Sequence, residues 1–138
     1  MNIDTKELLN RLSCAKDIKL FLTENESEFN NLSCTDYLNY LLRQRDTSIS
    51  EIAKKSGQGE YVYKVMRGER KPSRDVIISI AIGMNLLLDE TQLLLRVSKL
   101  ATLDPRDKRD SIIIYAINEK KSIDQLNDLL YELGQATL

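Results

Sequence analysis

The sequence predicts an all-α fold: a bundle of short helices with a helical arm at its N-terminal end and tandem helical hairpins at its C-terminal end. Three observations predict it. Leucine and isoleucine recur at three- and four-residue steps, and the strict apolar–polar alternation of a half-buried strand is missing. Pro72 and Pro105 fall between apolar-periodic stretches rather than inside them. Serine, threonine or aspartate stands ahead of most apolar runs, where the first amides of a helix need acceptors.

The elements follow in chain order. Residues 4–12 (DTKELLNRL) place Leu8, Leu9 and Leu12 on one helical face, and residues 15–23 (AKDIKLFLT) offer Ile18, Phe21 and Leu22. The link ENESEFNNLSC is polar and acidic, with Phe29 and Leu32 available to dock back, so residues 1–33 read as an acidic helical arm. Thr35 is expected to cap the next helix, DYLNYLLRQRD, whose inward side would carry Tyr37, Leu38, Leu41 and Leu42. Ser48 or Ser50 then opens a short helix containing Ile52 and Ala53. Gly57 or Gly59 supplies a turn, and residues 61–67 form a second short helix that Gly68 is suited to end in the left-handed conformation. ERKPS makes a loop stiffened by Pro72, and Ser73 caps the apolar helix RDVIISIAIGM.

The C-terminal half repeats itself at an offset of 35 residues. Residues 74–103 and 109–138 are identical at 12 of 30 positions, including Arg74-Asp75 with Arg109-Asp110, Ile77-Ile78 with Ile112-Ile113, and a closing ATL in each. Each unit reads as an apolar helix, a short link and a second helix, with Asp89 and Asp124 expected to cap the second helices. LDPRDK is the joint. The organisation expected is therefore a domain over residues 34–100, with a hairpin over 101–138 packed on it. The repeat implies a packing scheme rather than an activity. Arg74 and Arg109 are expected to cap or pair with the aspartates of their own units, or, for Arg74, to face outward.

Composition narrows the function. The chain of 138 residues has no histidine, which removes the commonest general base and the commonest metal ligand. Its Gly-x-Gly (GQG, 57–59) lacks the third glycine and the preceding strand of a dinucleotide site, and two cysteines, Cys14 and Cys34, read as free thiols. No catalysis, metal or cofactor is expected. No apolar run approaches the roughly 18 residues of a membrane span, and MNIDTKELLNRL lacks the layout of a secretory signal, so a cytoplasmic protein without a membrane partner is expected. The net charge of −1 is unevenly spread. Residues 43–74 carry nine basic and four acidic side chains (+5), against −3 on either side (four basic and seven acidic; seven basic and ten acidic). A basic segment inside an acidic chain is the footprint of a nucleic-acid surface.

That segment carries ISEIAKKSG, YVYKVMRG and ERKPS, and on these residues it resembles the lambda repressor/Cro-like helix-turn-helix family (xenobiotic-response-element type) of bacterial transcriptional regulators. The carrying positions are Ala53, Gly57, Val62 or Val65, and Gly68 with Pro72-Ser73. The resemblance covers roughly residues 35–97, and GERKPSRD followed by the tandem hairpins is similar to a subgroup from Gram-positive bacteria. Between Gly57 and Val62 the chain is one residue shorter than the family norm. Gln58, Gly59 and Glu60 stand where members usually open the recognition helix with serine, arginine or glutamine.

The resemblance implies a sequence-specific transcriptional regulator whose partner is double-stranded DNA. Residues 61–67 would lie in the major groove, with Gln58, Glu60, Tyr63, Lys64 and Arg67 facing bases. Arg43, Lys54, Lys55, Arg70, Lys71 and Arg74 would contact phosphates. Family members usually pair on two half-sites; the apolar C-terminal helices and IIIYAI offer a homodimer surface or, as is expected first, these isoleucines are simply core. The alternative is a non-enzymatic interaction or signalling adaptor on the same scaffold, binding a protein partner through the hairpins or the N-terminal arm. Exposure of Lys64 and Arg67 separates the two.

Overall fold

The computed structural model describes residues 3–26 and 32–138, in two compact units divided between residues 31 and 32. Its described residues form helices, turns and loops, with no strand among them.

The first unit holds α1 (Thr5–Cys14) and α2 (Ile18–Glu24). The Asp4 carboxylate accepts from the Glu7 amide at 2.8 Å, and Asp17 accepts from Lys19 at 3.0 Å, so each helix has its first-turn donor satisfied. The Arg11 guanidinium donates to Asn25 Oδ1 at 2.8 Å. Of the apolar residues expected inward, Phe21 is buried and Leu8 half-buried, whereas Leu9, Leu12, Ile18 and Leu22 are exposed. Phe29 lies outside the described residues, and Leu32 is exposed.

The second unit, from Leu32 onward, holds α3 (Cys34–Arg43), α4 (Ile49–Ser56), α5 (Tyr61–Met66), α6 (Arg74–Gly83), α7 (Leu88–Val97), α8 (Lys108–Asn118) and α9 (Ile123–Glu132). One continuous core runs from Leu38 and Leu41 through Ile52, Val62 and Ile78 to Leu95, Ile113 and Leu130. Residues 34–100 and 101–138 are thus one packed body. At its centre is α6, whose Ile77, Ile78, Ile80 and Ala81 are all buried because α4, α7 and α9 surround the helix. A Cβ on Gly83 would come within 2.8 Å of the Ser56 backbone nitrogen, so this glycine sets how closely α4 crosses α6.

Capping corrects three expectations. Ser33, not Thr35, opens α3 by accepting from the Asp36 amide at 3.1 Å; Thr35 lies inside the helix, its hydroxyl turned to α5. Asp89 and Asp124 sit in the first turns of α7 and α9 rather than at their caps. There, the amides of Leu87 and Ser122 donate to Glu90 Oε1 and Gln125 Oε1, both at 2.9 Å. Ser48 and Ser73 cap α4 and α6 as expected.

The 35-residue repeat is carried through the geometry. Asn85 and Lys120 have positive φ (59° and 55°), as do Lys99 and Gly134 (61° and 74°), so all four repeat helices end in the left-handed conformation. The Gln92 amide exchanges two hydrogen bonds with the Leu103 backbone, and Asn127 does the same with Leu138. Arg74 pairs with Asp110 and Arg109 with Asp75, each through two nitrogens at 2.8–3.1 Å. Each guanidinium also donates Nε–H to an alanine carbonyl, Ala101 or Ala136, at 2.9 Å. The arginines therefore bond carbonyls of their own repeat, as expected, while their carboxylate partners lie in the other repeat.

Candidate nucleic-acid interface

The second short helix, α5, is positioned from both sides. Gly57 ends α4 at φ 74°, and Gly59, at φ 59°, donates its amide to the Ala53 carbonyl at 3.1 Å. Both glycines of the expected turn are used, each where a side chain would be strained. Val62, Val65 and Met66 are buried, which fixes the inner face of α5. At its end Gly68 (φ 75°) allows the Glu69 amide to reach the Lys64 carbonyl at 2.9 Å. From α3, the Thr35 hydroxyl donates to the Val65 carbonyl (3.3 Å) and the Asn39 amide to the Met66 carbonyl (3.1 Å). Two carbonyls at the end of a six-residue helix are thus satisfied by side chains of another element.

With the inner face fixed, Glu60, Lys64 and Arg67 share the outer one, at steps of four and three residues. All three are exposed. Tyr61 and Tyr63 are half-buried and pack against the core, so Tyr63 is chiefly a packing residue with one edge outward. Gln58 is half-buried in the turn, its backbone N–H donating to Ser56 Oγ at 3.2 Å. The Arg67 guanidinium makes two hydrogen bonds to the Glu69 carboxylate, at 3.0 and 3.1 Å. These hydrogen bonds hold the Glu69 carboxyl below its usual range, helped by the charges of Arg67, Lys64 and Arg70, and the same bonds raise Arg67. Glu69 was not among the residues singled out; its place two positions after Arg67, across the Gly68 turn, is the signal that would have found it.

The flanking cations divide. Arg43, Lys54, Lys55, Arg70 and Lys71 are exposed, and Lys55 lies 3.9 Å from Glu51. Among the described residues, Arg43, Lys54, Lys64, Arg70 and Lys71 form no ion pair. Arg74 leaves the phosphate set, because its guanidinium is engaged by Asp110 and by the carbonyls of Ala101 and Thr102. Burial alone would raise the Asp110 carboxyl. The Arg74 hydrogen bonds, the Asp104 amide and the charges of Arg74 and Arg109 outweigh it and hold that carboxyl below its usual range.

The isoleucines of IIIYAI belong to the core, as expected: Ile113, Ala116 and Ile117 are buried in it, Ile112 and Ile114 are half-buried, and Tyr115 is exposed. Both cysteines are free, and burial pushes the Cys34 thiol up. No group of three or more Cys, Asp or Glu disposed to hold a metal occurs among the described residues. No described helix is long and apolar enough to cross a membrane.

A scan of the chain against protein-family models matches none of them, and searches of the curated proteins and of the solved structures return no match.

Proposed function

We propose that the chain is a DNA-binding transcriptional regulator of the helix-turn-helix type, with α4 as the supporting helix and α5 as the helix entering the major groove. The observation that carries this reading is the outer face of α5. Lys64 and Arg67 stand exposed on it, with Arg43, Lys54, Lys55, Arg70 and Lys71 exposed and basic on the elements around it. Lysine and arginine reach guanine O6 and N7, and the flanking cations would hold the module on phosphates without reading sequence. Glu60 fits the same scheme as an acceptor for cytosine N4. The Glu69 carboxylate orients Arg67 and would release it, or share it, as a guanine edge arrives.

A second reading, an interaction adaptor on the same scaffold, draws on one specific observation. Arg67 is held by a carboxylate, and a further carboxylate, Glu60, opens the helix, so the face is less positive than its cations alone suggest. Selection from a pool of genomic fragments separates the two. The regulator enriches a discrete set of fragments, and Lys64→Ala/Arg67→Ala loses that enrichment. Uniform recovery of the pool, or none, sinks the regulator.

A further inference from the structure

The contacts between the two repeats are reciprocal. Arg74 holds Asp110 and Arg109 holds Asp75, while α6 packs on α9 and α7 on α8. Translation of one hairpin onto the next, as in a solenoid, would give one of each pair without its converse. Exchange of both is what a twofold axis produces, and an interface of that kind is self-complementary. Each partner residue has its equivalent 35 positions away, so a second α6–α7 hairpin would offer the same Arg-Asp, Ile-Ile and Leu-Leu pairs that α8–α9 offers.

We infer that the face of α6–α7 turned to α8–α9 is a self-recognition surface whose natural partner is a copy of itself, occupied in cis by the chain's own duplicate, so that the chain is a monomer. The joint supports occupation from within. The Asp104 amide donates to Asp110 Oδ2 (3.0 Å), the Arg106 amide to Asp104 Oδ1 (2.9 Å), and Ser111 Oγ to the Pro105 carbonyl (2.6 Å). A partner tethered by so short a connection acts at an effective concentration on the order of millimolar, which a second copy in solution does not match.

The duplication is also incomplete in a telling way. Gly83, which leaves α4 room to cross, is matched by exposed Asn118, and fully buried Ile80 by Tyr115, 51% exposed. The second repeat therefore has no seat for a second α4–α5 pair, and the pseudo-dimer carries one basic module. On DNA, a consequence that rests on the proposed function, one copy occupies a single half-site without dyad symmetry.

Sedimentation equilibrium up to a few hundred micromolar, well below that on-the-order-of-millimolar effective concentration, is expected to return the monomer mass of 15.9 kDa; a dimer mass overturns the inference. Charge reversal then tests cis occupation at the Arg109–Asp75 pair, whose carboxylate is 48% exposed against 8% for that of Asp110. Arg109→Asp and Asp75→Arg are each expected to lower the melting temperature by about 3–5 °C, and the double variant in one chain to recover most of it. Recovery on refolding the two single variants together would place the pairing between chains and overturn the inference, as would single variants without loss. With DNA, one copy per fragment is expected, and two copies on half-sites about 34 Å apart contradict it. Absence of any DNA binding would sink the regulator reading, while mass and mixing still decide the interface.

Discussion

Arg74 and Arg109 occupy matching positions in the two repeats and make matching bonds, yet their partners differ in solvent access. The side chain of Asp110 is 8% exposed and that of Asp75 is 48% exposed. Arg74→Ala leaves a buried carboxylate without its counter-charge and is expected to cost about 3 kcal/mol. Arg109→Ala leaves a carboxylate that water can take over, and is expected to cost about 1 kcal/mol or less. Urea unfolding of the two variants checks the asymmetry; equal losses would contradict it. Because the folded carboxyl of Asp110 lies below its usual range, the unfolded chain binds that proton more readily. Its contribution is therefore complete above about pH 4 and is lost as pH falls through the depressed folded value. Melting temperatures recorded from pH 7 down to about pH 2 should fall less steeply for Asp110→Asn than for the parent chain below about pH 4.

Among the elements, the crossing of α4 over α6 is the tightest contact and gives the clearest prediction. Gly83→Ala would gain up to about 1 kcal/mol of helix propensity. It would also drive a methyl group into the backbone of Ser56, and overpacking of this kind costs about 1–3 kcal/mol. A net loss of stability is expected, and a raised urea midpoint would refute the close-approach role. The side chains of α3 that reach the end of α5 make a separate prediction. Asn39→Ala should raise amide hydrogen exchange across residues 61–69 while leaving α6 protected, at a cost of about 1 kcal/mol.

These same elements show what a sequence conveys. Helix positions were legible because leucine and isoleucine spacing is a local property; Gly57 or Gly59 was expected to supply the α4–α5 turn, and both take positive φ there. Caps were less so: Ser33 and Thr35 both carry hydroxyls near the start of α3, and only the chain path selects Ser33. The close approach at Gly83 was not legible, because it depends on where α4 crosses α6, and Gly83 meets Ser56, 27 residues away in the chain. The Arg-Asp pairs were visible as a repeat, but their exchange between units is a property of the packing. In the candidate site, the outward residues came from the resemblance: of Gln58, Glu60, Tyr63, Lys64 and Arg67, the last two and Glu60 are exposed, while Gln58 and Tyr63 are half-buried. Removing Arg74 and adding Glu69 required knowing which charges lie within reach.

At the scale of the whole molecule, a chain of net charge −1 carries its one net-basic segment, residues 43–74, on and around a short helix that packs against α3 and α4. If cations of that segment meet phosphates, they displace condensed counterions, and affinity must fall with salt in proportion to their number. Five remain in the phosphate set (Arg43, Lys54, Lys55, Arg70, Lys71). The slope of log affinity against log salt is therefore expected to be about −4.5, and Lys71→Ala should bring it about one unit closer to zero.

The most direct measurement is fluorescence anisotropy of the full chain on a selected genomic fragment and on a scrambled one, across a salt series. A slope of about −4.5 on both fragments is predicted, with the selected fragment bound at least about a thousandfold more tightly and that advantage lost in Lys64→Ala/Arg67→Ala. Equal affinity for the two fragments at every salt concentration, or a double variant that still discriminates between them, would contradict the assignment of α5 as the helix that reads DNA.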